Sequence, residues 1–132
     1  MLDYDKLNQE LKEDVKIDEL NLLQKQLMLP AIKHKWVARL IEQKRYLNSL
    51  YRKKKLTKVA VLSTLDEQGI PQGIPKAALE KKIDNSDAVQ KIDQDIEETT
   101  LLIEYLEKTE TVLRSMTYDI KNIIEINKLE TT

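Results

Sequence analysis

Ten basic side chains stand against one acidic side chain between residues 33 and 58. Lys33, Lys35, Arg39, Lys44, Arg45, Arg52, Lys53, Lys54, Lys55 and Lys58 face only Glu42, a net charge of +9. The segment before it, 1–32, carries −3, and the segment after it, 59–132, carries −7, so the whole chain is nearly neutral at −1. A block of that sign attracts polyanions by electrostatic steering and by counterion release. Tyr46 and Tyr51 lie among these cations. In single-strand binders, base stacking on such aromatics contributes about 1–3 kcal/mol per base. Lys53, Lys54 and Lys55 are consecutive, so on a helix they fan over about 200° and some must meet solvent or a ligand. The competing reading is that the basic stretch pairs with acidic helices of its own chain, since Asp and Glu abound elsewhere.

Other chemistries find little material. The chain has no Cys and a single His, His34, which removes thiolate chemistry and nearly every zinc site or catalytic triad. The phase of His34 puts it on a helix surface. Asp93/Glu97, Asp95/Glu98 and Glu107/Glu110 are spaced as helix neighbours, and paired carboxylates can bind metal or act as acid and base. With no His nearby they read as a solvated face. No nucleophile–base pair has an orienting third group, so neither an enzyme nor a metal or cofactor is expected. Neither Gly-x-Gly nor Gly-x4-Gly-Lys occurs, which excludes a phosphate-cradling glycine loop. No uncharged stretch approaches the ~20 residues of a membrane span. The amino terminus has no basic start or apolar core of a secretory signal. A soluble cytoplasmic protein is expected.

Helices must position these residues. Both glycines and two of the three prolines of the 132 residues fall between Gly69 and Pro75. The two flanks therefore have almost no backbone punctuation, which disfavours a sandwich or barrel. Tyr4 to Val15 reads as a short amphipathic helix on Leu7, Leu11 and Val15, capped by Asp3. Asp18 then reads as the N-cap of a long helix, without a full capping box because Asn21 occupies the third helical position. Its apolar positions step by three or four: Leu29, Ile32, Trp36, Leu40, Gln43, Leu47, Leu50, Lys54, Thr57 and Val61. This near-heptad seam makes Trp36 a core residue. Pro30 either kinks the helix or marks where two helices meet. Residues 66–75 are the loop, in which Gly-Ile-Pro occurs twice. Lys76 to Ile83 forms a short helix, and Asn85 or Ser86 caps a last long helix striped by Val89, Ile92, Ile96, Thr99, Ile103, Leu106, Leu113, Met116, Ile120, Ile123 and Ile124. Thr99, Thr100, Thr109, Thr111 and Thr117 are frequent for a helix, for no evident functional reason.

The expected fold is all-α: an elongated antiparallel helical hairpin with short flanking helices, one domain over 1–132. It divides into N-terminal helices (1–65), a Gly/Pro loop (66–76) and C-terminal helices (77–132). A hairpin buries one stripe per helix. Val37, Ile41, Val59, Leu101, Leu102 and Leu129 fall off the seams and favour self-association. The alternative is a compact monomeric bundle.

Three stretches together resemble the UvsY-type recombination mediators of T-even bacteriophages. They are the acidic helix from Leu7 to Asp18, the lone Trp36 followed by the basic helix through Lys58, and the run from Ile83 through Asp93 continuing to Ile120-Lys-Asn-Ile-Ile-Glu125. The resemblance spans most of the chain but carries no invariant chemical motif. It implies a non-enzymatic protein of the infected bacterial cytoplasm that binds single-stranded DNA and assembles into a ring-like homo-oligomer, a hexamer or heptamer. It further implies help in loading a RecA-like recombinase onto strands covered by a single-strand binding protein. By the same resemblance the N-terminal part binds DNA and the C-terminal part assembles. That assigns DNA contact to Lys35, Arg39, Lys44, Arg45, Tyr46, Tyr51, Arg52, Lys53, Lys54, Lys55 and Lys58. It assigns assembly to Ile92, Ile96, Ile103, Leu106, Leu113, Ile120 and Ile124. The sequence departs from the family where a Leu-Lys-Ala-Arg-Leu-type motif is expected. Val61-Leu-Ser-Thr-Leu-Asp66 stands there without a basic residue, so contacts assigned to that motif do not carry over. The rival class is a coiled-coil structural or adaptor protein that does not bind DNA.

Overall fold

The computed structural model describes residues 3–70 and 73–131. Four helices follow in order: α1 Tyr4–Asp14, α2 Leu22–Gln68, α3 Lys76–Asp84 and α4 Asp87–Thr131. No strand occurs among the described residues. Asp3 caps α1 as expected, its carboxylate accepting the Asp5 N–H at 3.0 Å. The entry to α2 differs from expectation. Asp18 Oδ1 accepts the N–H groups of Leu20 and Asn21, and Asn21 Oδ1 accepts the Asp18 N–H at 2.8 Å. The two side chains thus satisfy each other's orphan donors, as in a capping box. The amide oxygen of Asn21 does what a Glu or Gln usually does at the third position.

Pro30 neither ends α2 nor divides it; one 47-residue helix, about 70 Å long, runs through it. Proline lacks the N–H that the Gln26 carbonyl would otherwise accept. Pro30 is exposed, so its ring displaces no packing partner. We expect Pro30→Ala to stabilise the protein by about 1–3 kcal/mol, read as a raised urea midpoint at unchanged m-value.

The seam expected of α2 is the face it buries. Leu29, Ile32, Trp36, Leu40 and Leu50 are buried, and Gln43, Leu47, Lys54, Thr57 and Val61 are half-buried. The α2 helix runs to Gln68, three residues into the expected loop. Gly69 and Gly73 then take φ +86° and +89°, a region that costs a Cβ-bearing residue but not glycine. Pro71 and Gln72, within the Gly-Ile-Pro repeat, lie outside the described residues. Ser86 precedes α4 without capping it through its side chain. Its hydroxyl donates back to the Ile83 carbonyl at 2.7 Å.

The chain divides into two compact units, Met1–Glu42 with Leu102–Thr132, and Gln43–Leu101. In the first, α1 and the start of α2 pack on the C-terminal half of α4. Leu7, Ile32, Trp36, Leu40, Leu106, Leu113, Met116 and Ile120 form its core. A pocket lined by both Trp36 and Leu106, and another by Leu29 and Ile120, show the two helices running antiparallel there. In the second unit, Lys54 meets Asp93 and Lys58 meets Asp84, again antiparallel, around Leu50, Ile83, Val89, Ile92 and Thr99.

Four of the five threonines now have a structural place; nothing in the structure explains Thr111. Thr99 and Thr109 are small residues of the buried seam, and Thr100, Thr109 and Thr117 donate their hydroxyls to the carbonyl one turn back. That bond lets a polar side chain sit on a packed helix.

Candidate nucleic-acid interface

The basic block of α2 separates into paired and unpaired cations. In the first unit, Arg39 makes a two-pronged contact with Glu10, its Nη1 and Nη2 at 2.6 and 3.0 Å from the two carboxylate oxygens. Lys35 bridges Glu10 at 3.1 Å and Asp14 at 2.6 Å. Between these cations lies Trp36, only 2% exposed, whose indole N–H donates to Asp14 at 2.8 Å. The Arg39 guanidinium carbon is 4.9 Å from the centroid of that ring. Trp36 is therefore a core residue, and the acidic face of α1 is neutralised by α2. The Arg39 hydrogen bond, aided by Lys35, holds the Glu10 carboxyl below its ordinary value against an opposing effect of partial burial. Burial disfavours the Lys35 charge, but its bonds to Asp14 and Glu10 outweigh this and raise its pKa.

A pH dependence follows. The contribution of Glu10 is complete above its ordinary pKa of 4.5 and is lost as pH falls through the lower folded value. We expect the melting temperature to drop on acidification from about pH 5 to about pH 3, and Glu10→Gln to shrink that drop while lowering the neutral-pH value.

In the second unit, Lys54 and Lys58 are likewise taken up, by Asp93 at 2.7 Å and Asp84 at 2.9 Å. The hydrogen bond from Asp84 raises the Lys58 pKa. The competing reading of the charge block thus holds for Lys35, Arg39, Lys54 and Lys58. Arg45, Arg52, Lys53 and Lys55 are exposed and make no ion pair among the described residues. Arg45 and Arg52, seven residues apart, point directly away from the buried seam, with Lys53 on one flank and Lys55 and Lys44 on the other. Tyr46 and Tyr51 are 40% and 47% exposed at the edges of this face. Cation-lined helix surface with accessible rings suits a flexible polyanion that carries flat bases.

The family model described as "Recombination, repair and ssDNA binding protein UvsY" matches residues 10–132. The chain belongs to the UvsY family. It is therefore one of a family of recombination and repair proteins to which single-strand DNA binding is ascribed. Crystal structures of the bacteriophage T4 recombination mediator protein UvsY share the fold. One superposes with TM-score 0.80 at 21% identity over 100% of both chains, and another with 0.83 at 20% identity over 98% and 99%. Comparison with curated proteins gives no match. Among the described residues no helix is long and apolar enough to cross a membrane.

The UvsY resemblance also assigned an assembly stripe to α4. Ile92, Ile103, Leu106, Leu113 and Ile120 are buried against the chain's own helices, and Ile96 and Ile124 are half-buried. The apolar surface left outward lies elsewhere. Leu23 (68% exposed) and Leu27 (75%), then Pro30, Val37 and Ile41, with His34 among them, lie on the face of α2 opposite its core, and Leu20 (99%) continues the three-four spacing from the turn before the helix. Sequence reasoning took Val37 and Ile41 as off-seam but missed the leucines. The same three-four count, begun at Leu20 instead of Leu29, reveals them.

Proposed function

We infer that the protein is a sequence-independent single-strand DNA-binding recombination mediator. The observation that carries this reading is the outward face of α2, where Arg45, Arg52, Lys53 and Lys55 have no acidic partner in a family tied to DNA recombination and repair. Phosphates would lie along this face, with Tyr46 or Tyr51 stacking on bases. One such face holds a strand weakly. Several on one homo-oligomer hold it strongly, because each later contact becomes intramolecular. The outward stripe from Leu20 to Ile41 supports self-association, since an apolar three-four repeat is the pattern that packs against another helix. The resembled family suggests a ring of six or seven copies. In that setting the protein would present reshaped single strand to a RecA-like recombinase in place of single-strand binding protein, in the cytoplasm of the infected bacterial host.

One set of observations favours the rival adaptor reading: the pairing of Lys35, Arg39, Lys54 and Lys58 with acids of the same chain. Fluorescence anisotropy with labelled oligo(dT) over a salt series separates the two. A mediator binds at low salt with affinity falling steeply as salt rises. No binding at low salt means the adaptor. Sedimentation showing only monomer at micromolar concentration contradicts the assembly.

A further inference from the structure

A further basic surface, a groove, lies within the first unit. It runs between the start of α2 and the C-terminal half of α4, with a volume of about 610 Å³. Its rim carries Lys33 from α2 and Arg114, Lys121 and Lys128 from α4. The three α4 cations are spaced by seven residues. They therefore project on nearly one side of the helix, about 10 Å apart, over about 21 Å. Against them the groove presents Glu125, while Glu110 reaches Arg114 only at 3.6 Å across exposed surface. Tyr118 stands on the rim, 64% exposed, beside the hydroxyl of Thr117. The segment that supplies this row is acidic overall, −7 over 59–132, so block counting hides it.

We propose that this groove is a second contact for single-stranded nucleic acid. It deepens the DNA-binding reading given above and rests on it. Cations along a groove beside an accessible aromatic ring are the elements with which proteins hold a strand without reading its sequence. An acidic amphipathic helix fits less well. The apolar floor, Leu29 and Ile120, is 7% and 2% exposed and already consumed by the chain's own packing, so such a helix would find little to bury. A strand needs the rim, which is accessible. Phosphates bind Lys33, Arg114 and Lys121, and one base lies on Tyr118.

The test uses the full-length protein with oligo(dT). Lysine acetylation read by mass spectrometry should show Lys33 and Lys121 protected when the strand is bound. A Lys33→Gln/Arg114→Gln/Lys121→Gln variant of unchanged helicity should lose about 2 from the log–log salt slope, roughly 0.7 for each phosphate contact. Tyr118→Ala should weaken binding about fivefold or more. If oligo(dT) binds but leaves both lysines reactive, the groove is not a strand site, while the α2 face still stands. Binding of no strand by the wild-type protein removes both. Protection by polyglutamate and not by oligo(dT) overturns the proposal in favour of an acidic protein partner. Footprinting of the wild-type chain decides even where the triple variant fails to fold.

Discussion

Replacing Arg45, Arg52, Lys53 and Lys55 together by Gln should flatten the salt dependence of single-strand binding while leaving the fold intact. Each lost phosphate contact takes about 0.7 from the slope, so four take about 3. Over a fourfold rise in salt, the wild-type affinity should then fall about fifty times further than that of the variant. These side chains are exposed and make no ion pair among the described residues, so stability should move by no more than about 0.5 kcal/mol. Neutralising Arg39, Lys54 and Lys58 instead should do the reverse. Those cations hold Glu10, Asp93 and Asp84, and their loss strands carboxylates that are only partly solvated. Melting temperature should drop while the salt slope changes little. Comparable loss of slope from both sets would mean that the ion pairs open to admit DNA, and that sorting the cations by their partners is mistaken.

Trp36→Ala should cost about 3–5 kcal/mol, the largest single loss in the protein. The side chain is 2% exposed at the centre of the first unit, its face covered by Arg39 and its N–H on Asp14. Removing it opens a cavity under α1 and breaks one of the bonds that hold α1 in place. Trp36→Phe keeps most of the volume and loses the Asp14 hydrogen bond, so about 1–1.5 kcal/mol is expected. Native-state hydrogen exchange distinguishes local from global loss. The amides of α1 should lose protection first and most, because that short helix keeps only Leu7 buried. Equal loss of protection across α4 would show that α1 does not open separately.

Much of the helical layout was legible from local rules. Asp3 caps α1 where it stands, and Asp18 caps the turn that leads into α2, because a short polar side chain can reach N–H groups two and three residues ahead. The α2 seam from Leu29 to Val61 is visible because three-four spacing keeps one face of a helix aligned. The family resemblance was carried by short strings along most of the chain and agrees with the match over residues 10–132. Local rules failed at Asn21, whose reach back to Asp18 depends on backbone geometry, and at Pro30, where the packing of α2 on either side outweighs one missing hydrogen bond.

The functional site divides along the same line. Sequence alone determined that a basic helix exists, that Trp36 belongs to the core and that the glycines sit in a turn. Each of these depends on neighbours within a few residues. Only the tertiary structure decided which cations remain available. Lys53, Lys54 and Lys55 are adjacent and chemically identical, yet Lys54 is bound to Asp93, thirty-nine positions away, while its two neighbours face solvent. The same holds for Ile92, Ile103, Leu106, Leu113 and Ile120 of α4, which read as an assembly stripe and are buried within their own chain. Coulomb attraction and burial act through space, so the use of a charge or an apolar side chain depends on what the fold places beside it.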